Sequence, residues 1–127
     1  MKQNNDQFTP IKLAEVHFIQ RITSQGYYNV EIKNAWNKQD MGKPILWVEF
    51  EVIEGKSKGA RIRRQFYQTD DTNKPLAYMC KAVGIIGELE HPKLLIGERL
   101  TVLVIMKQNQ NTGNLYPEIK LFLALQS

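Results

Sequence analysis

From Tyr27 onward the apolar residues recur mostly at every second position, the period of a β-strand with one face turned to water. Tyr28, Val30 and Ile32 alternate with Asn29, Glu31 and Lys33, and Leu46, Val48, Phe50 and Val52 alternate with Trp47, Glu49 and Glu51. A third strand over Ala60 to Tyr67 turns Ile62 and Phe66 inward and Arg61, Arg63, Gln65 and Tyr67 outward. Arg64 shares the parity of Ile62 and Phe66, so it either caps one end of a barrel or marks a bulge. Between the second and third strands, Glu54 to Gly59 carries a glycine near each end and polar residues between, which predicts a hairpin connection.

The period then changes. Asp70-Asp71-Thr72-Asn73 supplies helix N-cap candidates and Pro75 falls near the first turn. Leu76, Met79, Cys80 and Val83 follow at helical spacing, predicting about three turns that Gly84 ends. Glu88 to Gly97, punctuated by Pro92 and Gly97, reads as a connection. Strands resume over Leu100 to Lys107 and Leu115 to Leu125, joined by the polar turn Gln108 to Asn114. In the last strand the period places Ile119, Leu121, Leu123 and Leu125 inward and Glu118 and Lys120 outward, while Pro117 predicts an edge position or an irregular start. Before Gly26 the pattern is less regular. Phe8, Ile11, Leu13, Val16, Phe18, Ile19 and Ile22 are too apolar for a loose tail yet follow neither period. The expectation is an N-terminal extension over 1–25, an extra strand or short helix packed on a domain of residues 26–127, with only the first six or so residues loose.

Composition narrows the function classes. A chain of 127 residues is the size of one ordinary domain, and 43% hydrophobic with 24% charged residues excludes global disorder. The single cysteine, Cys80, excludes an internal disulfide framework and a multi-cysteine zinc site, and fits a reducing compartment. The first ten residues, MKQNNDQFTP, lack the apolar core of a signal peptide, and the longest apolar run, Leu100 to Met106, is far too short to cross a bilayer. A cytoplasmic protein without membrane partners is expected. Seventeen Lys and Arg against thirteen Asp and Glu give a formal charge of +4, which permits a nucleic-acid partner without establishing one.

Three strands, one helix and two further strands is the element order of the OB-fold, a five-stranded Greek-key barrel with its helix between the third and fourth strands. Gly26-Tyr27-Tyr28-Asn29-Val30, Leu46 to Gly55, Lys58-Gly59-Ala60 and Glu118-Ile119-Lys120 together resemble a family of small bacteriophage proteins over roughly Gly26 to Leu125. That resemblance implies an OB-fold that binds single-stranded DNA, in a family often encoded beside recombination genes. The chain lacks the long acidic C-terminal tail of many replicative single-stranded-DNA-binding proteins, ending at Leu125-Gln126-Ser127.

OB-fold ligands usually cross strands two and three, between the loops that join strands one to two and four to five. With symmetric pairing around the Gly55 to Gly59 turn, Trp47 falls opposite Tyr67 and Glu51 opposite Arg63, and a register shift of two would keep all four on the same face. Trp47 and Tyr67 are candidate stacking platforms for bases, and Arg61 and Arg63 candidate phosphate or stacking partners. The expected first loop, Trp36 to Lys43, adds Trp36, Lys38 and Lys43, and Lys107 begins the second bounding loop. The competing reading is structural, since cross-strand aromatic and opposite-charge pairs also stabilise a bare sheet, and Glu49 and Glu51 put negative charge where phosphate would lie.

No catalytic pattern competes with binding. Glu118-Ile119-Lys120 imitates the Glu-x-Lys element of metal-dependent nucleases, but no aspartate follows Asp71 and the preceding strand offers only Glu98 at its far start. Cys80 sits on the helix's apolar stripe, His17 and His91 stand alone, and Gly84-Ile85-Ile86-Gly87 follows a helix instead of opening one. The expected protein is not an enzyme, needs no cofactor and binds single-stranded DNA. The alternative is an OB-fold protein-interaction module for a replication or recombination enzyme. Leu103 and Ile105 make the second face of strand four apolar as well, to be covered by the N-terminal extension or by a second copy in a homo-oligomer.

Overall fold

The computed structural model describes residues 8–14, 20–68 and 73–127. Within them the period-two stretches form five antiparallel strands, β1 (Gly26–Asp40), β2 (Lys43–Val52), β3 (Arg61–Tyr67), β4 (Arg99–Gln108) and β5 (Leu115–Ala124). They make one sheet in the order β3-β2-β1-β4-β5. A single α-helix, α1 (Lys74–Ala82), lies between β3 and β4 in the chain, and a short 3-10 helix at Pro92–Leu95 precedes β4.

Strand β1 organises the sheet because it pairs with two neighbours. Gly26 to Glu31 pair with β4, and Val30 to Asp40 pair with β2. A bulge between Ile32 and Asn34 lets one strand serve both, since the extra residue bends and twists the chain. The sheet curls until its edge strands face each other without pairing. Phe122 of β5 lies 6.2 Å from Phe50 of β2 and 5.6 Å from Phe66 of β3, ring centre to ring centre. Inside the curl, Val30, Ile32, Val48, Phe50, Val102 and Val104 are all fully buried. Each such side chain contributes about 1.5–3 kcal/mol relative to exposure.

Helix α1 closes this core with Met79 and Cys80, both buried. Burial pushes the Cys80 thiol pKa up, which suppresses the reactive thiolate. Asn73 occupies the N-cap position without a side-chain cap bond, while Asp70, Asp71 and Thr72 lie outside the described residues. Gly84, at φ 86°, ends the helix by donating its N–H to the Lys81 carbonyl at 3.0 Å. His91 has a capping role: its Nδ1 accepts the Lys93 N–H at 3.0 Å.

Three expectations need correction. The stretch Trp36 to Lys43 is not a loop, because β1 runs to Asp40 and β2 begins at Lys43, leaving the two-residue turn Met41-Gly42. Both turn residues have positive φ, 52° and 82°, the geometry of a type I′ turn, whose twist matches the flanking strands. The β2–β3 register is shifted by two from the symmetric one, so Trp47 opposes Gln65 and Glu51 opposes Arg61, with every residue still on its expected face. In β5 a second irregularity, between Leu103 and Val104 on the β4 side, leaves Lys120 without a partner and flips the parity beyond it. Phe122 therefore turns inward beside Ile119, and Leu121, Leu123 and Leu125 are exposed. In the N-terminal segment, the described residues 8–14 and 20–25 form neither strand nor helix, and Phe8, Ile11 and Leu13 are exposed. Ile22 is the described residue of this segment that reaches the core. Val16, His17, Phe18 and Ile19 lie outside the described residues.

No helix among the described residues is long and apolar enough to cross a membrane.

Candidate nucleic-acid interface

The outer face of β1, β2 and β3 divides into two regions. Near the β1–β2 turn, Trp36 stands directly opposite Trp47, their rings stacked at 6.3 Å with 15° between the planes. The β1 bulge makes this pairing. Unbroken alternation from Ile32 would send Trp36 inward, whereas the extra residue turns Ala35 inward and Trp36 out. The guanidinium of Arg63 lies 5.6 Å from the centre of the Trp36 ring, within cation–π range. On the same face Ile45 is buried although it lies outside the core cluster, with Lys38 and Tyr67 as its cross-strand partners.

Toward the other end, charged side chains form a ladder across four strands. Arg63 Nε donates to Glu49 Oε2, and Arg61 donates from Nη1 to Glu49 Oε1 and from Nε to Glu51 Oε1, each at 3.0 Å. Glu31 and Glu51 face each other across β1 and β2, a destabilising placement for like charges. Lys33 offsets it, with its Nζ 3.1 Å from Glu31 and 4.0 Å from Glu51, and Arg99 of β4 donates to Glu31 at 3.0 Å. The Lys33 hydrogen bond, then that of Arg99, holds the Glu31 carboxyl below the usual carboxylate range. Hydrogen bonding to Glu51 is the main influence holding the Arg61 pKa above its ordinary value.

Four cations and three carboxylates thus leave this ladder one net positive charge. Arg61 gives donors at Nε and Nη1 to two carboxylates, which leaves less of its guanidinium for a phosphate. Arg63 is shared between Glu49 and the Trp36 ring and keeps 61% of its side chain exposed. Lys38 and Lys43 are exposed on β1 and β2 at the turn end, Lys38 opposite Ile45 and Lys43 opposite Asp40. Lys107 belongs to β4 instead of a loop and pairs with Glu118 at 3.2 Å.

Beside Trp47 a groove of about 590 Å³ opens between β3 and β5. Trp47, Arg63, Gln65 and Tyr67 line one side of it, Tyr116, Pro117 and Glu118 the other, and Pro75 and Leu76 of α1 approach one end. Tyr67 and Tyr116 are each a little over two-fifths exposed. Sequence reasoning missed Tyr116, Gln65 and Arg64 because only strand order, a non-local property, brings β5 beside β3. Arg64 marks no bulge: it pairs regularly opposite Val48, with its guanidinium over the inward rings, 5.0 Å from the Phe66 ring centre and 5.4 Å from that of Phe122. The described residues Gln20 to Thr23 border this region, in a neighbouring hollow with Arg61 and Tyr116, and are not among the described residues that line the groove.

Residues 10–127 match a family described as a protein of unknown function, DUF669. The chain belongs to the DUF669 family. No curated protein matches this DUF669 chain. Among its described residues there is no group of three or more His, Cys, Asp or Glu side chains that could hold a metal ion.

Proposed function

We propose that this DUF669 protein is an OB-fold, single-stranded-DNA-binding protein that acts largely without base-sequence preference in phage-type replication or recombination in the cytoplasm. Support for the fold comes from the strand order β3-β2-β1-β4-β5, from β1 shared between β2 and β4 around a bulge, and from the helix between β3 and β4. The observation that carries the function is the Trp36–Trp47 stack with Arg63 above it, outward on β1 and β2. Flat rings and a cation on an open sheet suit unpaired bases, because stacking tolerates every base and the cation meets the backbone. The role is binding; no cofactor enters it.

A second reading, a protein-interaction module of the same fold, is favoured by one observation. Tyr27, the half-buried Leu103 and Leu121 sit side by side across β1, β4 and β5 and, with Leu123, give the sheet an apolar strip that is exposed at Tyr27, Leu121 and Leu123. Titration of labelled oligo-dT at two salt concentrations separates the two. DNA binding requires an affinity that falls with salt, by a log–log slope of roughly −0.7 per phosphate neutralised, and that Trp47→Ala weakens. Absent or salt-insensitive binding contradicts the proposal and favours the interaction module.

A further inference from the structure

We infer that the groove between β3 and β5 receives one nucleotide of the unpaired strand, with Tyr116 as a third aromatic contact and Arg64 as a donor at its floor. The inference rests on the single-strand reading above and adds a site to it. Its first support is composition: Trp47, Tyr67 and Tyr116 come from three different strands to line one groove, with the Gln65 amide between them as both donor and acceptor. About 590 Å³ lies within the range of sites that hold a small molecule, so a base fits where a peptide side chain would leave most of the space unused.

The second support is an unmet donor. Arg64 is half-buried, and its Nη1 is shielded from solvent without a hydrogen-bond partner among the described residues. Burial lowers its pKa and Glu118 opposes that shift, yet a guanidinium stays charged inside a protein. A buried donor left unmet is costly, and a swing of the long side chain toward the groove would let a base carbonyl or a phosphate oxygen satisfy it. Glu118, the acidic residue of the lining, is held by Lys107. The groove therefore favours a ligand that is flat, aromatic and rich in acceptors, which describes a nucleotide. The ladder points the same way. With Arg61 engaged by Glu49 and Glu51, a strand leaving Trp47 finds unengaged aromatic surface toward Tyr67 and Tyr116.

The test measures anisotropy of labelled oligo-dT with the full-length protein and with Trp47→Ala, Tyr116→Ala and Arg64→Met, using Tyr27→Ala as a control on the far end of β1. Tyr116→Ala and Arg64→Met should each weaken binding, Tyr116→Ala by about 5- to 100-fold, while Tyr27→Ala binds as the parent does. A second measurement needs no variant: oligonucleotides carrying 5-bromodeoxyuridine, irradiated on the unmodified protein, should cross-link to the tryptic peptide 108–120 that contains Tyr116. If Trp47→Ala weakens binding while Tyr116→Ala and Arg64→Met do not, and cross-links avoid that peptide, the groove is not a nucleotide site although the single-strand reading stands. If none of these variants alters binding, the strand lies on another surface and both the proposed interface and the inference fall; if the parent does not bind oligo-dT, the single-strand reading falls as well.

Discussion

The two ends of one sheet face solve different problems with adjacent side chains. At the turn end, Trp36 and Trp47 stack on each other, leaving aromatic surface half-open beside a groove. At the other end, Arg61, Lys33 and Arg99 are bound to Glu49, Glu51 and Glu31, so positive charge is cancelled where it arises. Basic residues counted along a sequence are therefore not the same as basic residues available to a ligand. Arg61 and Arg63 are equally plausible phosphate partners by pattern, yet only Arg63 reaches the aromatic region.

Breaking the aromatic end should have the largest effect. Trp47→Ala removes a stacking surface and the partner of Trp36, and should cost about 1–3 kcal/mol of oligo-dT binding, read as a roughly 5- to 100-fold weaker affinity. Glu49→Gln tests the boundary between the ends. It should loosen Arg63 while Glu51 still holds Arg61, tightening oligo-dT binding and steepening its salt dependence, while lowering stability by about 1 kcal/mol; that loss is small because both arginines are more than half exposed. Chemical denaturation and the same titration at two salt concentrations measure both halves of this prediction.

Within the ladder, Glu31 should respond to acid. Because the folded state holds the Glu31 carboxyl below its ordinary range, its contribution to stability is complete above the unfolded pKa and is lost as pH falls through the lower folded value. Melting temperatures measured from pH 7 to pH 3 should fall, and Glu31→Gln should make that fall shallower. The smallest effect belongs to Lys33→Ala. It lies among exposed charges away from the tryptophans, so it should change stability by no more than about 0.5 kcal/mol and leave oligo-dT affinity unaltered.

Parity was the legible part of this molecule. Period two alone puts Trp47, Glu49, Glu51, Arg61, Arg63 and Tyr67 on one face, and a register error of two residues does not disturb it. Helix α1 was equally legible from the spacing of Met79 and Cys80, the proline in its first turn and the glycine after it. Bulges defeat this kind of reading, because one unpaired residue reverses every assignment beyond it. At Lys33 a bulge turns Trp36 outward, and at Lys120 another turns Leu121 and Leu123 outward and Phe122 in. The engagement of Arg61 by two carboxylates and the meeting of Tyr116 with Tyr67 were illegible for a different reason. They depend on cross-strand register and strand order, which local periodicity does not encode.

Both tryptophans of the chain lie on the proposed interface, so its intrinsic fluorescence reports on that surface alone. Saturating unlabelled oligo-dT should quench the tryptophan emission as bases stack on the indoles, and adding salt should restore it as the strand dissociates. Tight oligo-dT binding that leaves the tryptophan emission unchanged would contradict the account, because the DNA would then lie on some other surface of the protein.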